Sequence, residues 1–341
     1  MARGIGMPIR PTLSNRATRL ATIAATAAAT MLVVAAGAGA STTVTEYQLP
    51  SATAQPAGLV TGPDHAIWFT ELGANAIARM DPSTHQVKEY PLPTTKAGPN
   101  AIAPGPDGAL WFAELAAGSI GRIDPATGAI AEFRIPTEAS KPTGIVAGPD
   151  GAMWFTETGG NKIGRIDPSS HTIAEYPIPT AQSSPGVIVN GPEGGLWFPE
   201  LGGNKIGRID PTTAKITEFP IPTAKAGPVG TVAGADGAIW FTESVTHQVG
   251  RLDPATGAIK EYPVTGAKSV PGAMTAGPDG GVWFLEMGAN KIGRIDPATG
   301  EIKEFPIPTA NSLPLLIAPG SDGALWFTEV AANKIGRIAG I

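Results

Sequence analysis

The chain has 341 residues, of which 44 are Gly and 34 are Pro. Gly and Pro at this density interrupt helices often, which excludes a helical bundle or a long coiled coil. The apolar fraction of 42% is sufficient for a packed core and argues against a disordered chain. The chain has no cysteine and therefore neither disulfides nor a thiolate metal site. Its formal net charge of −5 disfavours nucleic-acid binding, which needs a basic surface.

Residues 1–40 differ from the rest of the chain. They carry four arginines and no acidic residue, with an apolar run over residues 20–34 and small residues up to Ala40. This layout is typical of a cleaved signal peptide and predicts a secreted, cell-wall or periplasmic protein without a membrane anchor. An uncleaved anchor helix is the alternative, because residues 20–40 are about long enough to span a bilayer.

Residues 41–341 consist of a repeat of 43 residues. Seven tryptophans recur at this interval, each followed by Phe, with a Gly six residues earlier and a Pro twelve residues earlier: Trp68, Trp111, Trp154, Trp197, Trp240, Trp283 and Trp326. A repeat of this length built from short, β-branched and aromatic segments indicates one blade of a β-propeller. We therefore predict an all-β domain, a seven-bladed β-propeller of four-stranded blades.

The two ends of the domain predict how the ring closes. Within one repeat we expect strands over residues 143–147, 152–156, 162–166 and 172–178. Residues 44–49 match the fourth strand of a blade, whereas the chain ends after a third strand. The N-terminal strand should therefore complete the C-terminal blade, which leaves no open sheet edge between first and last blades.

Three charged positions recur in every blade. The third strands carry arginines, the fourth strands carry glutamates, and a further Glu follows each Trp by three residues. We expect the Arg and the fourth-strand Glu to lie opposite each other and form cross-strand ion pairs. The Glu after each Trp should hydrogen-bond to a loop, with a contribution to a functional site as the alternative. Groups needed in all seven blades are interpreted as structural.

Candidate binding residues lie where the repeats differ, on the face that carries the connections from the fourth to the first strand and from the second to the third. They are Asn100, Thr143, Lys96, Lys141, Lys225, Lys268 and His247. Four loop lysines on an acidic protein favour an anionic or polar ligand at the mouth of the channel. The alternative is that these lysines are simply solvated, and that His247 replaces a turn Asn.

The repeat also resembles a known family. Segments such as Gly-Pro-Asp-Gly-Ala-Met-Trp-Phe-Thr-Glu at residues 148–157 and Asn-Lys-Ile-Gly-Arg-Ile at residues 161–166 are similar to those of the streptogramin B (virginiamycin B) lyases. This resemblance implies a seven-bladed propeller that opens a cyclic depsipeptide antibiotic by elimination. It also implies magnesium held by two glutamates, and two histidines, of which one acts on the proton and one contacts the substrate.

The resemblance places the family histidines at Gly272 and Leu315, and the metal glutamates at Leu313 and Glu329. Because Gly and Leu cannot move a proton, we predict binding without catalysis. The expected protein is a secreted, monomeric propeller that binds a small molecule, a glycan or a protein. No cofactor is predicted from the residues, and magnesium at Glu329 is implied only by the resemblance. The alternative is a magnesium-dependent carbon–oxygen lyase that confers streptogramin B resistance.

Overall fold

A computed structural model of the chain describes residues 30–33, 42–266 and 268–341. It contains seven antiparallel sheets arranged as the blades of a ring, and the predicted all-β, seven-bladed propeller is confirmed. Within the described residues, the sole helix is the 3₁₀ turn Pro192–Gly194. None of the helices in this part of the chain is long and apolar enough to cross a membrane.

Blades 1 to 3 each consist of four strands. Blade 1 contains Pro56–Thr61, Ile67–Glu71, Ala76–Met80 and Val87–Pro91. Blade 2 contains Pro99–Pro104, Leu110–Glu114, Ser119–Ile123 and Ile130–Arg134. Blade 3 contains Pro142–Ala147, Met153–Glu157, Lys162–Ile166 and Ile173–Pro177.

Blades 4 to 7 follow the same plan, although the first strand of blade 4 is short. Blade 4 contains Val189–Asn190, Leu196–Glu200, Lys205–Ile209 and Ile216–Pro220. Blade 5 contains Pro228–Ala233, Ile239–Glu243, Gln248–Leu252 and Ile259–Pro263. Blade 6 contains Pro271–Ala276, Val282–Glu286, Lys291–Ile295 and Ile302–Pro306. Blade 7 contains Pro314–Pro319, Leu325–Glu329, Lys334–Ala339 and the N-terminal strand Thr43–Gln48.

The ring closes through the N-terminal strand, as predicted. Thr43–Gln48 pairs in antiparallel register with Lys334–Ala339 and so supplies the fourth strand of blade 7. Thr30–Val33 adds a fifth strand outside it. The predicted signal peptide otherwise lies outside the described residues, and it stays a prediction.

The core lies between the blades. Trp154 of blade 3, for example, packs in one cluster with Leu196 and Phe198 of blade 4, and the seven Trp and the Phe that follows each are buried. Each of these Phe rings covers a small residue of the neighbouring third strand. At Gly164 an added Cβ would lie 2.1 Å from the Cε2 atom of Phe155, so glycine is required for this close approach.

The predicted ion pairs between the third-strand Arg and the fourth-strand Glu are wrong. In blade 3 the residue opposite Glu175 is Gly164, and Arg165 lies opposite Ala174. Because adjacent residues of a strand point to opposite faces of the sheet, a register difference of one residue separates the two charges.

The arginine instead contacts an aspartate of the preceding turn. The Arg165 Nε–H donates to Asp150 Oδ2 at 2.7 Å, while the Trp154 indole N–H donates to Asp150 Oδ1 at 2.9 Å. The same Asp–Trp–Arg arrangement occurs in six blades, with the aspartates Asp64, Asp107, Asp150, Asp236, Asp279 and Asp322. Partial burial alone would raise the pKa of Asp150, but these hydrogen bonds hold it below its usual value.

The fourth-strand glutamates connect neighbouring blades. Glu218 of blade 4 accepts hydrogen bonds from the backbone N–H and the hydroxyl of Thr180, which follows blade 3. Five blade junctions share a Glu–Thr contact of this kind; the glutamates are Glu46, Glu132, Glu175, Glu218 and Glu261. At the junction of blades 5 and 6, Gly266 occupies the position of the Thr.

The closing strand provides a test of the fold. A chain that begins at Pro56 loses buried Val44, Tyr47 and Leu49, and exposes the edge of Lys334–Ala339. A buried large apolar side chain contributes about 1.5–3 kcal/mol, so we expect aggregation or a much lower melting temperature, measured by calorimetry and size-exclusion chromatography.

The matched control begins at Thr42 and keeps Thr43–Gln48. It should melt close to the full chain. A soluble monomer with an unchanged melting temperature after truncation to Pro56 would contradict the closure of the ring.

Candidate functional site

The first strands, and in blade 4 the segment just before the first strand, bring one variable position of every blade to a common cavity of about 290 Å³. Around it lie the residues that follow the first Pro of each blade: Ala57, Asn100, Thr143, Gly186, Val229, Gly272 and Leu315. The residues that follow the buried Glu of the second strand reach the same cavity in three blades: Thr158, Leu201 and Met287. A cavity of this size approaches the lower end of the range for small-molecule sites.

A polar arc occupies one wall of the cavity. The hydroxyl oxygens of Thr143 and Thr158 lie 2.6 Å apart, and the Thr158 hydroxyl donates to the carbonyl of Pro185 at 2.7 Å. The Asn100 amide donates to the carbonyl of Thr143 at 3.2 Å. These bonds fix the three side chains, while the Asn100 Oδ1 atom has no partner among the described residues.

The other walls are apolar. Val187, Val229, Met287, Leu315 and Leu316 line them, and most of the exposed cavity surface is carbon. None of the described residues that line the cavity is Asp, Glu, His, Lys, Arg, Tyr or Cys. The cavity can therefore bind an apolar body and donate or accept a few hydrogen bonds, but its lining carries no group that transfers a proton near neutral pH.

The two positions to which the resemblance assigned histidines both lie in this cavity. Gly272 is packed beneath Met287, whose Cε atom would lie 3.1 Å from an added Cβ. Leu315 contributes an aliphatic side chain to the same lining. The methionine thus occupies the space above the glycine, and the wall is apolar at both positions.

The structure does not bring the other predicted binding residues into the cavity. Lys96, Lys141, Lys225 and Lys268 are exposed on the loops between blades and lie outside the lining. His247 anchors a loop, since its Nδ1 atom accepts a hydrogen bond from the backbone N–H of Val270 at 3.3 Å. Asn161 binds the loop of its own blade in the same way, through Ser183.

Of the cavity residues, Asn100 and Thr143 are on the predicted list, whereas Thr158, Leu201 and Met287 are not. These three occupy the position directly after the repeated Glu, where the seven blades carry Leu, Leu, Thr, Leu, Ser, Met and Val. This variation directly after a constant residue is visible in the sequence and could have identified the three residues as candidates.

The seven glutamates that follow each Trp by three residues are fully buried: Glu71, Glu114, Glu157, Glu200, Glu243, Glu286 and Glu329. In six of them neither carboxyl oxygen has a hydrogen-bond partner, and the exception is Glu243, which accepts a bond from Thr246. In the described part of the chain, the expected hydrogen bond from a loop is therefore well formed at Glu243, while the loop hydroxyls of Ser269 and Ser312 approach Glu286 and Glu329 and act to lower the pKa of each carboxyl.

Burial has a large effect on these carboxyl groups. Burial, with a smaller contribution from the carboxylate of Glu89 on the fourth strand, raises the pKa of Glu71 to about 8. Burial likewise raises the pKa of Glu329 to about 8, with Glu46 adding to the shift. Each blade thus holds a carboxyl pair whose buried member has a raised pKa, about 8 in four blades and about 7 at Glu200, Glu243 and Glu286.

The magnesium site implied by the resemblance does not fit these residues. Leu313 has no ligand atom, and the Glu329 carboxyl is buried and protonated near neutral pH. The oxygens of neighbouring Glu46 already accept bonds from Thr309 and Lys334. The described residues contain no group of three or more His, Cys, Asp or Glu that could hold a metal ion.

Comparison with known proteins agrees with the arrangement of the blades. The profile of the virginiamycin B lyase family matches residues 36–214 and 170–340, which together span most of the chain. The chain belongs to the virginiamycin B lyase family. A comparison with curated proteins gives no match.

Solved members of the virginiamycin B lyase family share the whole fold with this chain. A streptogramin B lyase is 37% identical in sequence to this chain, with a TM-score of 0.82. The match covers 87% of this chain and 97% of the lyase chain. Virginiamycin B lyase from Staphylococcus aureus is 38% identical to this chain, with the same TM-score of 0.82. This match covers 87% of this chain and 99% of the enzyme chain. A catalytically inactive histidine-to-alanine variant of that enzyme has been solved with quinupristin.

More distant propellers show the fold alone. The extracellular domain of a hybrid two component system from B. thetaiotaomicron is 17% identical with a TM-score of 0.67, and the match covers 84% of this chain and 40% of that one. Extracellular proteins are therefore among the structural neighbours of the ring.

The buried glutamates give a pH-dependent prediction for Glu71→Gln. Between pH 4.5 and about 8, unfolded Glu71 loses its proton while the folded residue keeps it, so the stability of the natural protein falls as the pH rises. Gln has no proton to lose. The free energy of unfolding of the variant, relative to that of the natural protein, should therefore rise by at most about 1.4 kcal/mol for each pH unit in that window.

Urea unfolding at pH 5, 6, 7 and 8 measures this difference. Glu138→Gln changes an exposed loop carboxyl and serves as the control, with a stability difference that stays constant across the series. Parallel pH profiles for Glu71→Gln and the natural protein would show that the buried carboxyl does not retain its proton.

Proposed function

We propose that this protein is a secreted ligand-binding propeller that has kept the scaffold of the virginiamycin B lyases without their chemistry. The observation that carries the proposal is the lining of the cavity, in which Gly272 and Leu315 stand at the two positions that the resemblance assigns to histidines. Secretion is supported by the signal-like composition of residues 1–40.

The elimination reaction of the family needs a base to remove a proton. A positioned general base contributes about 10²–10⁴-fold to such reactions, and the cavity lining offers none. Glu329, which the resemblance assigns to the metal, is buried, keeps its own proton near neutral pH and does not line the cavity. These residues support binding without turnover.

The chemistry of the walls favours an uncharged ligand with an apolar body and one hydrogen-bonding edge. The apolar body would contact Val229, Met287 and Leu315, and the polar edge would meet Asn100 and Thr143. Because a charged group would lose its hydration against apolar walls, a strongly anionic ligand is disfavoured inside the cavity. Outside the cavity, the exposed loop lysines offer a separate basic surface for a glycan or a protein.

The second candidate function is the lyase activity itself. It is favoured by the identity of 37–38% to solved lyases over nearly their whole length. In that case a residue outside the cavity lining would have to supply the base.

Incubation of the purified chain with virginiamycin B and magnesium distinguishes the two candidates. We expect no ring-opened product by mass spectrometry, because no lining residue removes the proton. Product formation at about 1–10³ per second would establish the lyase, and its loss in Glu329→Gln would assign that carboxyl to the reaction.

Binding without turnover is tested by calorimetry with virginiamycin B as the probe. Val229→Asp places a charge against apolar walls and should weaken binding at least tenfold, which is about 1.4 kcal/mol. The matched control replaces Lys96, Lys141, Lys225 and Lys268 by Gln and should leave the affinity unchanged. The opposite pattern, with weaker binding only in the lysine variant, would move the site to the loops.

A further inference from the structure

Six blades show what the repeated Trp and Arg bind on the face opposite the cavity. In each, the indole N–H and the Arg Nε–H donate to the two oxygens of one aspartate. The indole bonds measure 2.8–3.1 Å and the arginine bonds 2.5–2.7 Å. The two donors therefore form a receptor for one carboxylate, and a charge-assisted bond strengthens the contact.

Blade 4 keeps both donors and lacks the carboxylate. Trp197 is fully buried, and its Nε1 atom has no hydrogen-bond partner. The Cζ atom of Arg208 lies 5.8 Å from the Trp197 ring, within the 5.8–6.0 Å of the equivalent pairs in four other blades. Among the described residues no carboxylate forms an ion pair with Arg208. Its positive charge makes a small contribution to lowering the pKa of Asp210 in the following turn.

The missing acceptor follows from one substitution in the turn. Glu193 stands at the position of the six aspartates. In blade 3 the Asp150 Oδ1 atom also accepts the backbone N–H of Ala152, a local bond that suits the short side chain of Asp. In blade 4 Glu193 adopts φ 58° and ψ 23°, and its side chain is exposed. The Glu193 side chain therefore does not accept a hydrogen bond from Trp197 or Arg208.

We propose that blade 4 binds a small carboxylate anion between the indole N–H of Trp197 and the guanidinium of Arg208. The six equivalent blades define the ligand class, since the same donors hold a carboxylate in each. A buried donor without a partner is costly, so an anion that pairs with it gains binding free energy. This site lies on the face opposite the cavity and does not depend on the proposed function.

Access to the receptor runs through the turn of residues 191–195. The indole N–H is shielded from solvent in this conformation, so a ligand reaches it when the turn moves outward. The blade 6 turn has glycines at the same three positions but is tied down by Asp279, which accepts hydrogen bonds from Gly281, Trp283 and Arg294, whereas the turn of residues 191–195 lacks these side-chain bonds. A ligand no larger than formate or acetate requires the smallest displacement.

The experiment follows the indole N–H signals of the folded protein by ¹H–¹⁵N NMR while sodium acetate replaces sodium chloride at constant ionic strength. The Trp197 signal is identified by its absence in Trp197→Phe. We expect this signal alone, among the seven indoles, to shift and saturate. A ligand of four non-hydrogen atoms can reach a dissociation constant of about 1–10 mM.

Three variants sharpen the test. Arg208→Gln should weaken acetate binding at least tenfold, whereas Lys215→Gln, an exposed charge of the same blade, should leave it unchanged. Glu193→Asp should complete the seventh Asp–Trp–Arg contact, abolish the acetate response and raise the melting temperature. Glu193→Ala should bind acetate as the natural protein does.

Two results would overturn the proposal. A Trp197 signal that does not respond to acetate in the natural protein would mean that the receptor takes no free carboxylate, whether or not Glu193→Asp is stabilising. A response seen only in Glu193→Ala would mean that the Glu193 carboxylate occupies the receptor in solution.

Discussion

The structure depends on the packing of each blade against the next. A four-stranded blade is apolar on both faces, and a single repeat cannot bury them alone. The Trp and Phe of each second strand fill the space between neighbouring sheets, and small residues of the third strands allow the rings to approach. Every blade therefore needs a neighbour on each side, which is why the chain begins its ring with the strand that its last blade lacks.

This packing also decides where the variable residues meet. Because the first strands surround a common axis, one position per blade converges on a single cavity although the residues are 43 apart in sequence. The constant residues hold the ring, so the blades are free to differ at this position. Gly272, Leu315 and Met287 use that freedom to give an apolar wall. Blade 4 also differs at a second position, on the opposite face, where Glu193 replaces the aspartate of the other six blades.

Much of the fold could be predicted from the sequence, because the repeat fixes the number of blades and the ends reveal the closure. The partner of Arg165 could not be predicted, because the sequence between Arg165 and Glu175 leaves the strand register uncertain by one residue. A shift of one residue places a side chain on the opposite face of the sheet. The chemistry of the site was also hard to predict. Lys96 and Lys141 are near the cavity residues in sequence, yet their side chains are exposed on the loops, and the apolar wall arises from residues of several blades.

The buried glutamates alter the electrical character of the folded protein. The formal net charge of −5 counts all 29 acidic residues as ionised. The pKa values of Glu71, Glu114, Glu157 and Glu329 are raised to about 8, so these four are mainly protonated at pH 7. Four fewer negative charges bring the formal charge of the chain from −5 to −1. At pH 7 the folded chain should therefore carry fewer negative charges than the unfolded chain, which has an isoelectric point near 5.5, and its charge measured by electrophoresis should be less negative.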